Sequence, residues 1–107
     1  MKETKNNIKI SQKAQNDIIN IYEFFKKNFC EQYAKQIENK IRNKILLLKD
    51  YAYLGCITEY EKILYRKIRK IVVDKFNIYY EFDAKSKTIK IVRIISFYVD
   101  KKNYYIA

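Results

Sequence analysis

Hydrophobic positions along the chain change period twice. Asn7-Ile8-Lys9-Ile10 alternates over four residues, as a short strand does, and Ser11 follows it as a helix N-cap candidate. Ala14, Ile18, Ile21, Phe25 and Phe29 then recur three or four apart, the apolar face of a helix over about residues 12–28. A second helix, about 32–50, carries Ala34, Ile37, Ile41, Ile45 and Leu48 on one face. The few residues between the two helices predict an antiparallel hairpin. After a loop over 51–60, which contains the only glycine, Gly55, the β-branched run 64–73 predicts a strand. Asp74-Lys75 fits a tight turn. Phe76, Ile78, Tyr80 and Phe82 alternate as a half-buried strand, and 88–98 forms the most apolar strand after a polar turn. The order β-α-α-β-β-β predicts an α+β domain over residues 1–107. Three antiparallel strands form a meander, the helix pair packs on one face, and the other face is left partly exposed.

Composition narrows the chemistry. The 107 residues carry 23 Lys plus Arg against 12 Asp plus Glu, a net charge of +11, and no histidine. A Ser-His-Asp triad, a histidine general base and a histidine-ligated zinc are therefore excluded. Two cysteines, Cys30 and Cys56, are too few for a four-thiolate metal site or a disulfide scaffold, and no metal or other cofactor is expected. Apolar runs are too short to span a membrane, and Met-Lys-Glu-Thr-Lys has no signal core, so a cytoplasmic protein is expected. Lys, Ile, Tyr and Asn have AT-rich codons, so part of the lysine excess follows from base composition. Position carries more information. Residues 60–107 hold a net charge of +7, and Lys62, Arg66, Lys67, Arg69 and Lys70 fall in a stretch, 62–73, with no acid. Either a polyanion partner or a solvated strand edge that opposes aggregation accounts for it.

Four stretches together resemble the RelE/ParE superfamily, toxins of bacterial type II toxin–antitoxin modules. They are the strand-Ser-Ala-Asp start over Ile8–Ile18, the Ala34/Ile37/Ile41/Ile45/Leu48 helix leading to Gly55, the hairpin Arg69–Tyr80, and the closing Ile89-Lys90-Ile91-Val92-Arg93-Ile94-Ile95 with Asp100 beyond. The chain departs from the family where a His and Arg residues often follow the closing strand. Here those positions read Ser96, Tyr98 and Val99, and the proline usual before Gly55 is missing. The resemblance implies a cognate acidic antitoxin and one of two activities. RelE-like members cleave mRNA in the ribosomal A site; ParE-like members poison DNA gyrase and are not nucleases. A toxin kept only as an antitoxin partner is a third possibility. The basic segment favours a ribosome-dependent mRNA endoribonuclease, with gyrase inhibition as the alternative.

Cleavage by a 2′-hydroxyl needs a cation on the phosphate and groups that exchange protons. Arg69, which matches the family's second-strand arginine, is the leading candidate for that cation, or else a solvent-facing prop of the hairpin. Lys62 and Lys67 are candidate phosphate contacts, and Tyr98 a proton donor or stacking ring; all three also read as ordinary surface residues. Glu59 and Glu61 are the only carboxylates beside the cluster. Arg66, Lys70, Arg93, Lys101 and Lys102 complete the candidate nucleic-acid surface. Arg93 lies in an apolar strand, where an unpaired charge is costly, so a cross-strand pair with Glu81 or Asp83 is also expected.

Overall fold

The computed structural model describes residues 5–59 and 66–97. β1 (Asn7–Ile10) leads into α1 (Gln12–Asn28) and α2 (Glu31–Leu46), followed by a 3-10 turn, Leu47–Lys49. Then come β2 (Cys56–Ile57), β3 (Arg69–Val73), β4 (Phe76–Asp83) and β5 (Thr88–Ser96). One five-stranded sheet has the order β1-β5-β4-β3-β2. β3, β4 and β5 form the expected antiparallel meander, while β1 pairs parallel to β5 and β2 pairs antiparallel to β3. The sheet is therefore mixed, with a second edge strand that the hydrophobic pattern does not predict. The run expected as a strand over 64–73 is extended only from Arg69 onward among its described residues.

Ser11 starts α1 as its pattern requires. Its Oγ accepts from the Ala14 amide at 3.1 Å and donates to the Val92 carbonyl at 3.0 Å, so one hydroxyl caps the helix and ties it to β5. The core lies between the helix hairpin and one sheet face. Ala14, Ile18, Ile37, Ile41, Ile45 and Leu48 pack on Ile71, Phe76, Ile78, Tyr80, Ile89, Ile91 and Ile94. Phe29, placed on that face by periodicity, is 64% exposed because it follows the last helical residue.

A bulge in β5 lets Tyr79 oppose Arg93 while Tyr80 opposes Ile91. The extra residue shifts the alternation, so Ile91 and Ile94 both join the helix-side core. The other sheet face is not simply open: Ile68, Tyr79, Val92 and Ile95 form a second buried cluster there. No described helix is long and apolar enough to cross a membrane.

Candidate functional site

The loop between α2 and β2 packs against the sheet through a buried tyrosine. Tyr80 Oη donates to the Ala52 carbonyl and accepts from the Gly55 amide, both at 2.8 Å. Gly55 is needed for this approach. A Cβ there would lie 2.8 Å from the Lys70 carbonyl oxygen and 2.8 Å from Tyr80 Cε1 and Oη. Burial pushes the Tyr80 hydroxyl above its ordinary pKa and outweighs the lowering effects of the Gly55 amide and Arg69.

Arg69 completes the clamp. It stands opposite Tyr80 in the β3–β4 ladder and so shares the helix-side face. Its Nη1 donates to the Gly55 carbonyl at 2.8 Å, and its guanidinium carbon lies 4.9 Å from the centroid of the Tyr53 ring. Tyr53 meets Phe82 edge-on at 5.2 Å. Arg69, the leading candidate for a phosphate cation, is thus half-buried and built into the loop, and the alternative of a solvent-facing prop does not describe it.

The structure divides the basic cluster. Lys67 is exposed and precedes β3, so it shares no strand face with Arg69. Lys70 points to the opposite face from Arg69, across from Tyr79 and Cys56. Arg66 grips Glu81 with two parallel bonds, Nε to Oε2 at 2.8 Å and Nη2 to Oε1, and this bond to the carboxylate raises its pKa further. Arg93 pairs with neither Glu81 nor Asp83. It donates from Nε and Nη2 to Asp17 of α1, at 2.7 and 2.9 Å. The cross-strand pair fails because the β4–β5 register puts Arg93 opposite Tyr79, while Glu81 faces Lys90 and is held by Arg66, and Asp83 faces Thr88. Lys62, Glu61, Tyr98, Lys101 and Lys102 lie outside the described residues, while Glu59 is exposed.

A second surface was not foreseen. A groove of about 940 Å³ opens at the far end of the helix hairpin, lined by Ile21, Phe24, Phe25, Phe29, Tyr33 and Phe76, with Lys40 and Asp74 among its polar residues. Phe25 is its hub, with ring centroids at 5.7 Å from Phe29, 5.5 Å from Tyr33 and 6.3 Å from Phe76. The signal available beforehand was the bunching of Phe24, Phe25, Phe29 and Tyr33 around the interhelical turn, where a core face should already have ended.

Comparison with known proteins follows the same lines. The ParE toxin of the type II toxin–antitoxin system parDE matches residues 8–96. A chain in the structure of a chromosomal ParDE toxin–antitoxin system from P. aeruginosa superposes with a TM-score of 0.72 at 19% identity, covering 88% of this chain and 98% of that one. A chain of the RelBE2 toxin–antitoxin complex from Mycobacterium tuberculosis gives 0.66 at 12% identity, covering 86% and 98%. At such identities these likenesses show the fold alone. No curated protein sequence matches the chain.

Proposed function

The chain belongs to the ParE toxin family of type II toxin–antitoxin systems, and on that premise we propose that it arrests growth by binding DNA gyrase rather than by cutting mRNA. The observation that supports this is the state of its arginines. The chain has four, and each guanidinium already has a partner within the protein: Arg42 pairs with Glu38 on the surface of α2, Arg66 with Glu81, Arg69 with Gly55 and Tyr53, and Arg93 with Asp17. Turning any of them to a phosphate costs the bonds it already makes. With no histidine in the chain, the usual proton carrier for RNA cleavage is missing, and any phosphate cation not taken from an existing bond would have to be a lysine. A binding inhibitor needs neither. The nuclease favoured by the charge pattern loses that advantage once Arg66 is in an ion pair, Arg69 is in the loop clamp and Lys70 is on the opposite sheet face.

The partner that restrains the toxin is its antitoxin, an acidic chain suited to a +11 surface. The aromatic groove offers an apolar segment of that chain a trough lined by Phe24, Phe29 and Tyr33.

The test is to add the purified chain to DNA gyrase with relaxed plasmid, and in parallel to ribosomes translating a defined mRNA. Lost supercoiling with intact mRNA is the expected result. Cuts in the mRNA with supercoiling unaffected would overturn the proposal.

A further inference from the structure

The loop between α2 and β2 exposes large apolar side chains while its backbone is fixed from below. Tyr51, Tyr53, Leu54 and Ile57 are 60%, 63%, 47% and 43% exposed within seven residues. Between them Ala52 and Gly55 are buried, with the Ala52 carbonyl and the Gly55 amide bonded to Tyr80 and the Gly55 carbonyl to Arg69. Tyr53 is held on two sides, by the Arg69 guanidinium and the Phe82 ring, yet stays largely open. Apolar exposure on a mobile loop is incidental. On a loop anchored by a buried tyrosine, an arginine and a glycine without space for a Cβ, it is a preorganised contact surface.

We propose that this loop is the surface with which the toxin engages its target: a folded protein presenting an apolar site edged by carboxylates. Naming gyrase as that protein rests on the function proposed above; the loop itself does not. Two features select this partner. Lys49 on the 3-10 turn and Lys67 just before β3 lie beside the loop, and neither has an ion-pair partner among the described residues. Of the nearby acids, Asp50 is bridged to Lys5 at 3.9 Å and Glu59 is exposed, which leaves Lys49, Lys67 and the Arg69 guanidinium against one uncompensated carboxylate among the described residues. The rim is therefore basic and complements an acidic surface. The second feature is rigidity. A disordered antitoxin segment pays ordering entropy on binding and is best served by a trough, which the aromatic groove supplies at the Phe76 end of β4. The loop packs on Tyr80 and Phe82, further along that strand and roughly 13–20 Å away by strand rise. A tyrosine pinned at low entropic cost, as Tyr53 is, suits a folded partner's pocket as an anchor.

The experiment uses the full-length double variant Tyr51→Asp/Leu54→Asp, since neither side chain supports the clamp and a carboxylate there repels an acidic site. Four readouts are taken: growth arrest on induction, the thermal melt, capture by the cognate antitoxin, and binding to purified gyrase. The expected result is an unchanged melt, antitoxin capture within about twofold of wild type, growth arrest lost, and gyrase binding weakened by about tenfold or more. Full growth arrest by the folded variant would overturn the proposal. So would joint loss of toxicity and antitoxin capture, which would make the loop the antitoxin's site. If the wild type itself leaves gyrase untouched while the variant loses growth arrest, the gyrase reading fails and the loop stands. Should the aspartates unfold the chain, Tyr51→Ser/Leu54→Ser is read against the same outcomes.

Discussion

Asp17 and Arg93 join the middle of α1 to the bulge of β5 through a two-pronged ion pair, Oδ2 to Nε at 2.7 Å and Oδ1 to Nη2 at 2.9 Å. The same carboxylate accepts the Ile94 amide at 2.9 Å. β1 ends opposite Ile91, so beyond it β5 would show an unpaired edge. α1 takes over that edge: Ser11 serves the carbonyls of Ile91 and Val92, and Asp17 serves the amide of Ile94. The pair therefore completes a sheet rather than lining a site.

Removing Arg93 should expose this role. The two side chains are only 19% and 12% exposed, so Arg93→Ala strands a carboxylate in a poorly solvated place. A loss of about 2 kcal/mol is expected, below the range for a fully buried pair because some water reaches both groups. Asp17→Asn should cost less, since an amide oxygen still accepts from Ile94. Denaturant melts of both variants check this. Equal stability of Arg93→Ala and wild type would leave the arginine free for another task.

Gly55→Ala should destabilise the chain even though the loop is at the surface. The added methyl meets the Lys70 carbonyl as well as Tyr80, and backbone in the middle of a ladder cannot swing aside. A cost of about 1–3 kcal/mol is expected. Pairing it with Tyr80→Phe relieves only the hydroxyl contact, so the double variant should recover little of the loss in a thermal melt.

These contacts show what the sequence could and could not disclose. The helix faces from Ala14 to Leu48 and the alternation of β4 were legible because each is written over many consecutive residues. The single glycine could be seen in the 51–60 loop, but not the close approach that requires it. Its partner, Tyr80, is 25 residues away and reads as one more alternating core position. The Asp17–Arg93 pair spans 76 residues, and the strand register that sets Arg93 opposite Tyr79 instead of Glu81 cannot be read from the sequence. β2 has two residues, both exposed, so no period exists to reveal it. Of the proposed site residues, the chemistry of Arg69 was visible but its use was not: a side chain's partner is a property of the fold, and its neighbours in sequence carry no record of it.

Tyr80→Phe should lower stability in a pH-dependent way. Below the ordinary tyrosine pKa, deleting the hydroxyl leaves the buried Ala52 carbonyl and Gly55 amide without their partner, at a cost of about 1–3 kcal/mol. The folded-state pKa lies above 10.0 because burial disfavours the phenolate. Unfolded chains therefore release the proton first as pH rises. The stability tied to the neutral hydroxyl is whole below the unfolded pKa and drains away from there up through the folded one. Urea midpoints from about pH 8 to 11 should fall more steeply for wild type than for Tyr80→Phe, with the other tyrosines common to both. Parallel curves would place the hydroxyl in water.

Arg69 gives the sharpest contrast between the two modes of action. As a clamp it holds Gly55 by a charge-assisted bond at 2.8 Å and supports the Tyr53 ring at 4.9 Å. Arg69→Ala should then cost about 1–2 kcal/mol, loosen the loop, and make Tyr51, Tyr53 and Leu54 better chymotrypsin sites. Arg69→Lys should recover part of this, because an ammonium can reach a carbonyl but cannot stack as a plane. Toxicity should track loop order across the three proteins, measured as growth arrest against the rate of chymotrypsin cleavage in the native state. As a phosphate grip, the same arginine would behave otherwise. Arg69→Ala would keep the wild-type melt and protease resistance while growth arrest disappeared, and the lost activity would be mRNA cutting, by about 10²–10³ in rate for one transition-state contact. A stable, protease-resistant and harmless Arg69→Ala protein would thus sink both the clamp and the binding-inhibitor account.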